Sequence, residues 1–214
     1  MSNGGMIVLQ ADSFDAAAFQ AATSVSRETL DRLAAYHDLL LKWQPKINLV
    51  GPATIAEAWR RHFLDSAQLF PLLPGTPSRL ADLGSGAGFP GLVLAAMGAG
   101  EVHLIESDAR KCAFLREAAR VMGVAVTVHN RRIEAVSPLN ADFITARALA
   151  PVAELIRLGA PHLRPGGEFL LLKGRNVDAE LTEATKYWIM AAQRQPSRSD
   201  DEGCVLRLYD VAAR

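Results

Sequence analysis

The segment Leu80-Ala81-Asp82-Leu83-Gly84-Ser85-Gly86-Ala87-Gly88-Phe89-Pro90-Gly91 constrains the fold of this chain more than any other. An apolar run ending at Asp82-Leu83 meets glycines at 84, 86, 88 and 91, then the apolar stretch Leu92 to Met97. This is a strand, a tight turn and a helix start. A backbone passing close beneath a bulky ligand needs positive φ at some positions and no Cβ at others, and glycine supplies both. The carboxylate of Asp82 stands where the turn begins.

Spacing separates the ligands such a turn serves. A phosphate-binding P-loop requires Lys and then Ser or Thr after its last glycine, whereas Gly91 is followed by Leu92-Val93. The dinucleotide fingerprint G-x-G-x-x-G begins at Gly84 and Gly86, but its third glycine falls on Phe89. The remaining pattern, an acidic residue, one spacer and G-x-G-x-G, resembles the first motif of the S-adenosylmethionine-dependent methyltransferases. A second feature agrees with it. Glu101 to Glu106 reads as a short buried strand whose terminal carboxylate lies 22 residues beyond Gly84. An acid at that strand tip is placed to accept hydrogen bonds from both hydroxyls of an adenosyl ribose.

Helix and strand alternate through the rest of the chain. Arg110 to Met122 reads as a helix stopped by Gly123, Ala125 to Val128 as a third strand, Asp142 to Ala146 as a fourth and Glu168 to Leu172 as a fifth. Pro151 to Leu163 and Val177 to Met190 read as helices, and Cys204 to Val211 as a late strand. This rhythm predicts an α/β fold, a doubly wound and mostly parallel sheet. Right-handed crossovers bring the strand ends to one edge, so Asp82, Gly84, Glu106, Ile133, Glu134, Arg147 and Lys173 are expected to converge. Residues 1 to 75 read as a helical extension ahead of a catalytic domain over 76 to 214. Within it, Ser13 to Ala22 is loosely helical, Ser26 caps a helix that Pro45 ends, and Thr54 with Glu57 forms a capping box for another.

Charge narrows the partners. The chain has 23 Lys+Arg and 23 Asp+Glu, and residues 1 to 78 hold 6 and 7 of them, so no half is basic. Nucleic acid would have to be held by local patches, not by bulk charge. Two distant cysteines, Cys112 and Cys204, form neither a disulfide framework nor a metal site. No metal-binding cluster, membrane span or basic leader is read, and the cytoplasm is the expected compartment. Neither cysteine stands at a strand end, as the nucleophile for methylating a pyrimidine carbon would. An Asn/Asp-Pro-Pro-aromatic turn for an exocyclic amine is also missing, since Arg147-Ala148-Leu149-Ala150 stands there. The acceptor is therefore an atom already nucleophilic, or a small molecule.

From about Tyr36 onward the chain resembles the bacterial small-subunit ribosomal RNA methyltransferase G family, also called glucose-inhibited division protein B. The resemblance rests on Lys42 to Leu49, the run Arg61-His62-Phe63-Leu64-Asp65-Ser66, Asp82 to Gly91, Lys111 to Leu115, Arg132-Ile133-Glu134, Ala146-Arg147-Ala148 and Leu172-Lys173-Gly174. It implies methylation of guanine N7 in 16S ribosomal RNA, with S-adenosyl-L-methionine as cofactor and the small ribosomal subunit as partner. It also implies that Gly84, Phe89, Ile133, Glu134 and Arg147 contact the cofactor. Asp82, Gly86 and Glu106 join them from the strand-end argument, and Arg147 doubles as the candidate catalytic residue. Candidate RNA contacts are Arg60, Arg61, His62, Arg131, Arg132, Lys173 and Arg175. Met1 to Thr23 has no matched counterpart. The alternative is a small-molecule methyltransferase of the same fold, with the helical extension as a lid.

Overall fold

The computed structural model describes residues 14–75 and 78–214. Ser13 and the segment before it, on which part of the first predicted helix falls, lie outside the described residues, as does Pro77 of the linker.

The extension is held by short-range hydrogen bonds. Asp15 caps α1 (Ala16–Thr23) by accepting from Ala18 N. Ser26 caps α2 (Arg27–Ile47) by accepting from Thr29 N. Pro45 does not end this helix as predicted. It sits in the last turn, where it removes one N–H, and the stop falls on Asn48, which is left-handed at φ 45°. Gln44 then accepts from Leu49 N and Val50 N at 2.9 and 3.0 Å, which replaces the helical bonds beyond the stop.

The capping box at Thr54 is not formed either. The Thr54 hydroxyl donates to Gly51 O at 2.8 Å, within a 3-10 turn, Pro52–Glu57. A π-helical turn, Trp59–Leu64, follows and runs into the short α3 (Asp65–Ala67). The wide turn re-aims successive side chains, and π-bulges of this kind recur at functional sites.

Among the described residues the sheet has seven strands: β1 (Arg79–Leu83), β2 (Glu101–Glu106), β3 (Thr127–Asn130), β4 (Ala141–Arg147), β5 (Leu163–Lys173), β6 (Trp188–Pro196) and β7 (Cys204–Ala213). Their order is β3-β2-β1-β4-β5-β7-β6. The first five are parallel, and β7 runs antiparallel to both its neighbours. The helices are α4 (Gly91–Met97), α5 (Ala109–Met122), α6 (Val152–Gly159) and α7 (Val177–Ala184). The predicted helix from Val177 to Met190 is thus two elements. It stops at Ala184, and the aromatic and β-branched Trp188-Ile189 open β6, whose hairpin bonds to β7 outweigh helical propensity.

Alternation along the strands sorts two cores. Leu80, Leu104, Leu170 and Leu172 face a core shared with Phe19, Tyr36, Phe63, Phe89 and Phe114. Ala81, Leu83, Ile144, Phe169 and Leu171 face the other, with α6 and α7. The extension therefore contributes to the same apolar layer as α4 and α5. The period of two also assigns Asp82 to the face of Leu80, and Thr145 and Arg147 to the face of Phe143, which belongs to that same core. The strand order reverses between β1 and β4, and a crevice opens there.

Candidate active site

The glycine turn is packed from both sides. Gly84 has φ +62°, and a Cβ there would lie 2.7 Å from Leu149 Cδ1. A Cβ on Gly91 would meet Leu104 Cδ2 at 2.4 Å and Asp82 Cβ at 3.0 Å, so its absence lets α4 settle on β1 and β2. Glu106 locks the turn to the second strand: Oε2 accepts from Gly86 N at 3.0 Å and Oε1 from Asp108 N at 2.8 Å. From the extension, the fully buried Tyr36 hydroxyl donates to Ala87 O.

Two cavities flank the turn. The smaller, about 540 Å³, is walled by Ile105, Glu106, Ile133, Glu134 and Leu149. The larger, about 910 Å³, is walled by Arg61, Asp65, Phe89, Lys173 and Asp200, among others. Gly84, Gly86, Arg147 and Ala148 border both.

Arg147 sits at that boundary. Its Nη1 donates to Arg61 O at 3.2 Å and to His62 Nδ1 at 2.7 Å, and its Cζ lies 4.9 Å from the centroid of the Phe89 ring. An arginine only donates, so His62 Nδ1 must accept and the imidazole proton is on Nε2. That proton points to Thr54 Oγ1, 2.9 Å away, and Thr54 passes its own to Gly51. The His62 ring also stacks on Phe89 at 5.2 Å and 29°. Burial, with Arg147 and Arg61 beside it, pushes the His62 pKa down to about 3, so the ring is neutral.

The structure reassigns several predicted residues. Asp82 is fully buried and borders neither cavity: Oδ1 accepts from Thr145 Oγ1 at 2.9 Å, while Oδ2 has no hydrogen-bond partner among the described residues. It supports the turn from beneath because strand alternation aims it at α4, and burial raises its pKa to about 6. Phe89 is 3% exposed and serves as the platform for His62 and Arg147. His62 is an internal brace whose ring nitrogens are both engaged. Lys173 borders the larger cavity, but its side chain is only 8% exposed, paired with Glu180 at 2.6 Å and donating to Ala150 O at 3.0 Å, so it offers no open phosphate contact.

Other predicted cations are also engaged. Arg61 pairs with Asp200 at 2.9 Å and Arg175 with Glu202 at 2.6 Å, while Arg60 covers the Phe14 ring. Arg131 and Arg132 line the smaller cavity and have no carboxylate partner among the described residues. Glu134, there too, is 3.4 Å from Arg157.

Tyr36, Thr145, Asp65 and Ser199 were not singled out by sequence reasoning. Asp65 Oδ1 accepts from Ser199 Oγ at 2.7 Å and Gln68 Nε2 at 2.9 Å, which ties the extension to the β6–β7 loop. The run from Arg61 to Ser66 was the available signal for Asp65. Ser199 carried none.

The smaller cavity suits an adenosyl group. Glu106 offers remaining lone pairs to ribose hydroxyls at the strand tip, Ile133 and Leu149 offer apolar faces to a flat base, and Gly84 and Gly86 admit a chain across the turn toward Arg147. A doubly wound sheet with such a site at its switch point is that of a Rossmann-like S-adenosylmethionine-dependent methyltransferase. Solved structures agree on the fold. A ribosomal protein L11 methylase from Lactobacillus delbrueckii subsp. bulgaricus superposes with TM-score 0.54 at 17% identity, over 70% of this chain and 77% of its own. An O-methyltransferase from Thermotoga maritima gives 0.55 at 18%, over 84% and 72%.

Sequence comparison narrows the class. The family model described as rRNA small subunit methyltransferase G matches residues 29–200. A ribosomal RNA small subunit methyltransferase G from Paramagnetospirillum magneticum is 60% identical over 190 residues, 89% of this chain and 93% of its own. One from Rhodospirillum centenum is 58% identical over 206 residues, 96% and 95% respectively. The chain belongs to the rRNA small subunit methyltransferase G family.

Proposed function

We propose that this enzyme methylates N7 of a guanine in 16S ribosomal RNA, in the cytoplasm, and that its acceptor is the folded small-subunit particle. The observation that carries this reading is the larger cavity: the family's Arg61–Ser66 run is brought against the glycine turn at Arg147, forming an acceptor chamber beside the cofactor cavity.

When bound, S-adenosyl-L-methionine would supply an electrophilic methyl group for an acceptor lone pair. Glu106 would hold the ribose, Ile133 and Leu149 would cover the adenine, Gly84 and Gly86 would let the cofactor pass, and Glu134 would serve the base's edge. Arg147 spans both cavities and orients one anionic group, the cofactor carboxylate or an RNA phosphate, away from the reacting nitrogen. Guanine N7 has a lone pair and no proton, so the chain needs no general base and works by alignment and electrostatics. His62 is consistent with this, being neutral and engaged at both nitrogens. Both cysteines are buried and play no part, with Cys112 Sγ directed at Glu106 O, 3.2 Å away.

RNA attachment through Arg60, Arg131 and Arg132 gives few free phosphate contacts and a shallow salt dependence, which favours a shaped, protein-bearing target over naked RNA. Radiolabelled cofactor with small subunits, naked 16S RNA and a metabolite extract tests the reading. Label is expected on the particle. Label confined to small metabolites would establish the small-molecule alternative instead.

A further inference from the structure

Among the described residues, four carboxylates border the acceptor chamber, and three are neutralised. Asp200, Glu180 and Glu202 lie 2.9, 2.6 and 2.6 Å from Arg61, Lys173 and Arg175. Asp65 differs. Its nearest cation, Arg147 Nη1, is 3.8 Å from Oδ2, beyond hydrogen-bond range, and Oδ2 accepts no hydrogen bond among the described residues. Oδ1, by contrast, is fixed from several directions, by Ser199 Oγ at 2.7 Å, Gln68 Nε2 at 2.9 Å and Ser197 Oγ at 3.5 Å. The side chain is 16% exposed. This is a rigidly oriented carboxylate with one oxygen anchored in the protein and the other open at the chamber wall. Oδ2 alone lacks a donor among the described residues, and a half-buried carboxylate gains from a charge-assisted hydrogen bond there, so the open oxygen suits a donor brought by the acceptor.

Among the bases, guanine presents two adjacent donors, N1–H and the N2 amine, on the edge away from N7. It is also the base that becomes cationic when N7 takes a methyl group. A fixed carboxylate on that edge recognises the ground state by hydrogen bonding and stabilises the charge that grows during transfer. We infer that Asp65 is the specificity-determining residue of the acceptor chamber, its Oδ2 accepting from the N1–H and N2 amine of the guanine to be methylated. This rests on the guanine N7 reading above. The anchoring of Oδ1 by Ser199 and Ser197 makes the β6–β7 loop a positioning element for the same carboxylate.

The test replaces the modified guanosine, located by mapping the labelled product, with inosine in 16S RNA assembled by ligation and reconstituted into particles. Inosine keeps N7, N1–H and O6 and lacks only the N2 amine. The wild type is expected to prefer guanosine by about tenfold or more in kcat/KM, since a site built around a substrate donor rejects the analogue lacking it. Asp65→Asn keeps an oxygen for Ser199 but turns an N–H toward the chamber. It should lose about 30-fold or more on guanosine and bring the guanosine-to-inosine ratio close to one. Particle affinity measured without cofactor should lose its guanosine preference in parallel.

A residue that merely positions Arg147 would lower both substrates by the same factor, and an unchanged ratio in Asp65→Asn overturns the proposal. So does a wild type that methylates inosine as well as guanosine, a result that requires no variant to fold. No label on the guanosine particle from wild type, with label on another acceptor, would instead refute the guanine N7 reading itself.

Discussion

The two cavities beside the glycine turn are built by different means. The smaller is made from consecutive strand ends of one sheet edge: Gly84 and Gly86 after β1, Glu106 at the tip of β2, and Ile133 and Glu134 after β3. Arg147 to Leu149 close it from the end of β4, and backbone N–H groups fix the Glu106 carboxylate. The larger draws Arg61 and Asp65 from the extension, Arg147 from β4, Lys173 and Arg175 from the end of β5, and Ser199 and Asp200 from the β6–β7 loop. Its parts are held by side-chain contacts across more than 100 residues, such as Ser199 to Asp65. The smaller cavity is thus laid down by the order of the strand ends, and the larger one by tertiary docking of the extension and the β6–β7 loop onto them.

That contrast can be broken at Arg147, the one charged side chain that borders both cavities among the described residues. Arg147→Ala removes the cation bordering both cavities and leaves His62 Nδ1 without its donor, so the single-turnover transfer rate should fall by about 100-fold or more, as for loss of a group that positions a bound reactant. The variant with Cys112→Ala and Cys204→Ala should keep its rate apart from packing losses, nearly independent of pH between about 6.5 and 9, because no thiolate or base participates. A thiol adduct, or a rate rising tenfold per pH unit over that window, would overturn the N7 assignment.

Separability is sharpened by Glu106→Ala. Hydrogen bonds to a charged group contribute about 1.5–3 kcal/mol, so cofactor affinity measured by calorimetry should weaken tenfold or more, while particle binding is unchanged. Equal losses in both would show that the two cavities are one coupled site.

Asp82 tests whether the floor beneath both halves is structural. Its pKa is raised by burial from 3.8 to about 6, so the folded state binds the proton more tightly than the unfolded one. The associated stability is fully present below pH 3.8 and is lost as pH rises through about 6. Above that, the ionised group costs up to about 3 kcal/mol. Asp82→Asn should therefore gain stability relative to wild type between pH 4 and 7, then hold that gain, in denaturant melts at successive pH values. A difference that does not vary with pH would mean that Asp82 titrates normally. His62, depressed to about 3, contributes the opposite slope, present above 6.5 and lost on acidification, but it is common to both proteins and cancels.

The smallest effect is expected where the extension touches the turn. Tyr36→Phe removes the hydroxyl from Ala87 O and should cost about 1–3 kcal/mol of stability, with cofactor affinity falling only slightly. An unchanged midpoint would show that the extension holds the turn by packing alone.

The sequence alone was enough for the parallel α/β sheet, the glycine turn, the Glu106 tip and the convergence of strand ends, because period-two alternation, glycine spacing and short crossovers are local or topological rules. It misplaced the end of α2, the capping box at Thr54 and the helix from Val177 to Met190, where tertiary partners outweighed propensity: Gln44 caps beyond Pro45, Thr54 turns to Gly51 and His62, and β6 pairs with β7. That Asp82 lies beneath the turn, that Lys173 and His62 are engaged internally, and that Asp65 presents one oxygen to the larger cavity come from the packed structure alone. Each of these depends on which distant side chain occupies a given donor or acceptor, and hydrogen-bond partners separated by 85 residues, as Arg147 and His62 are, leave no periodic trace in a single chain.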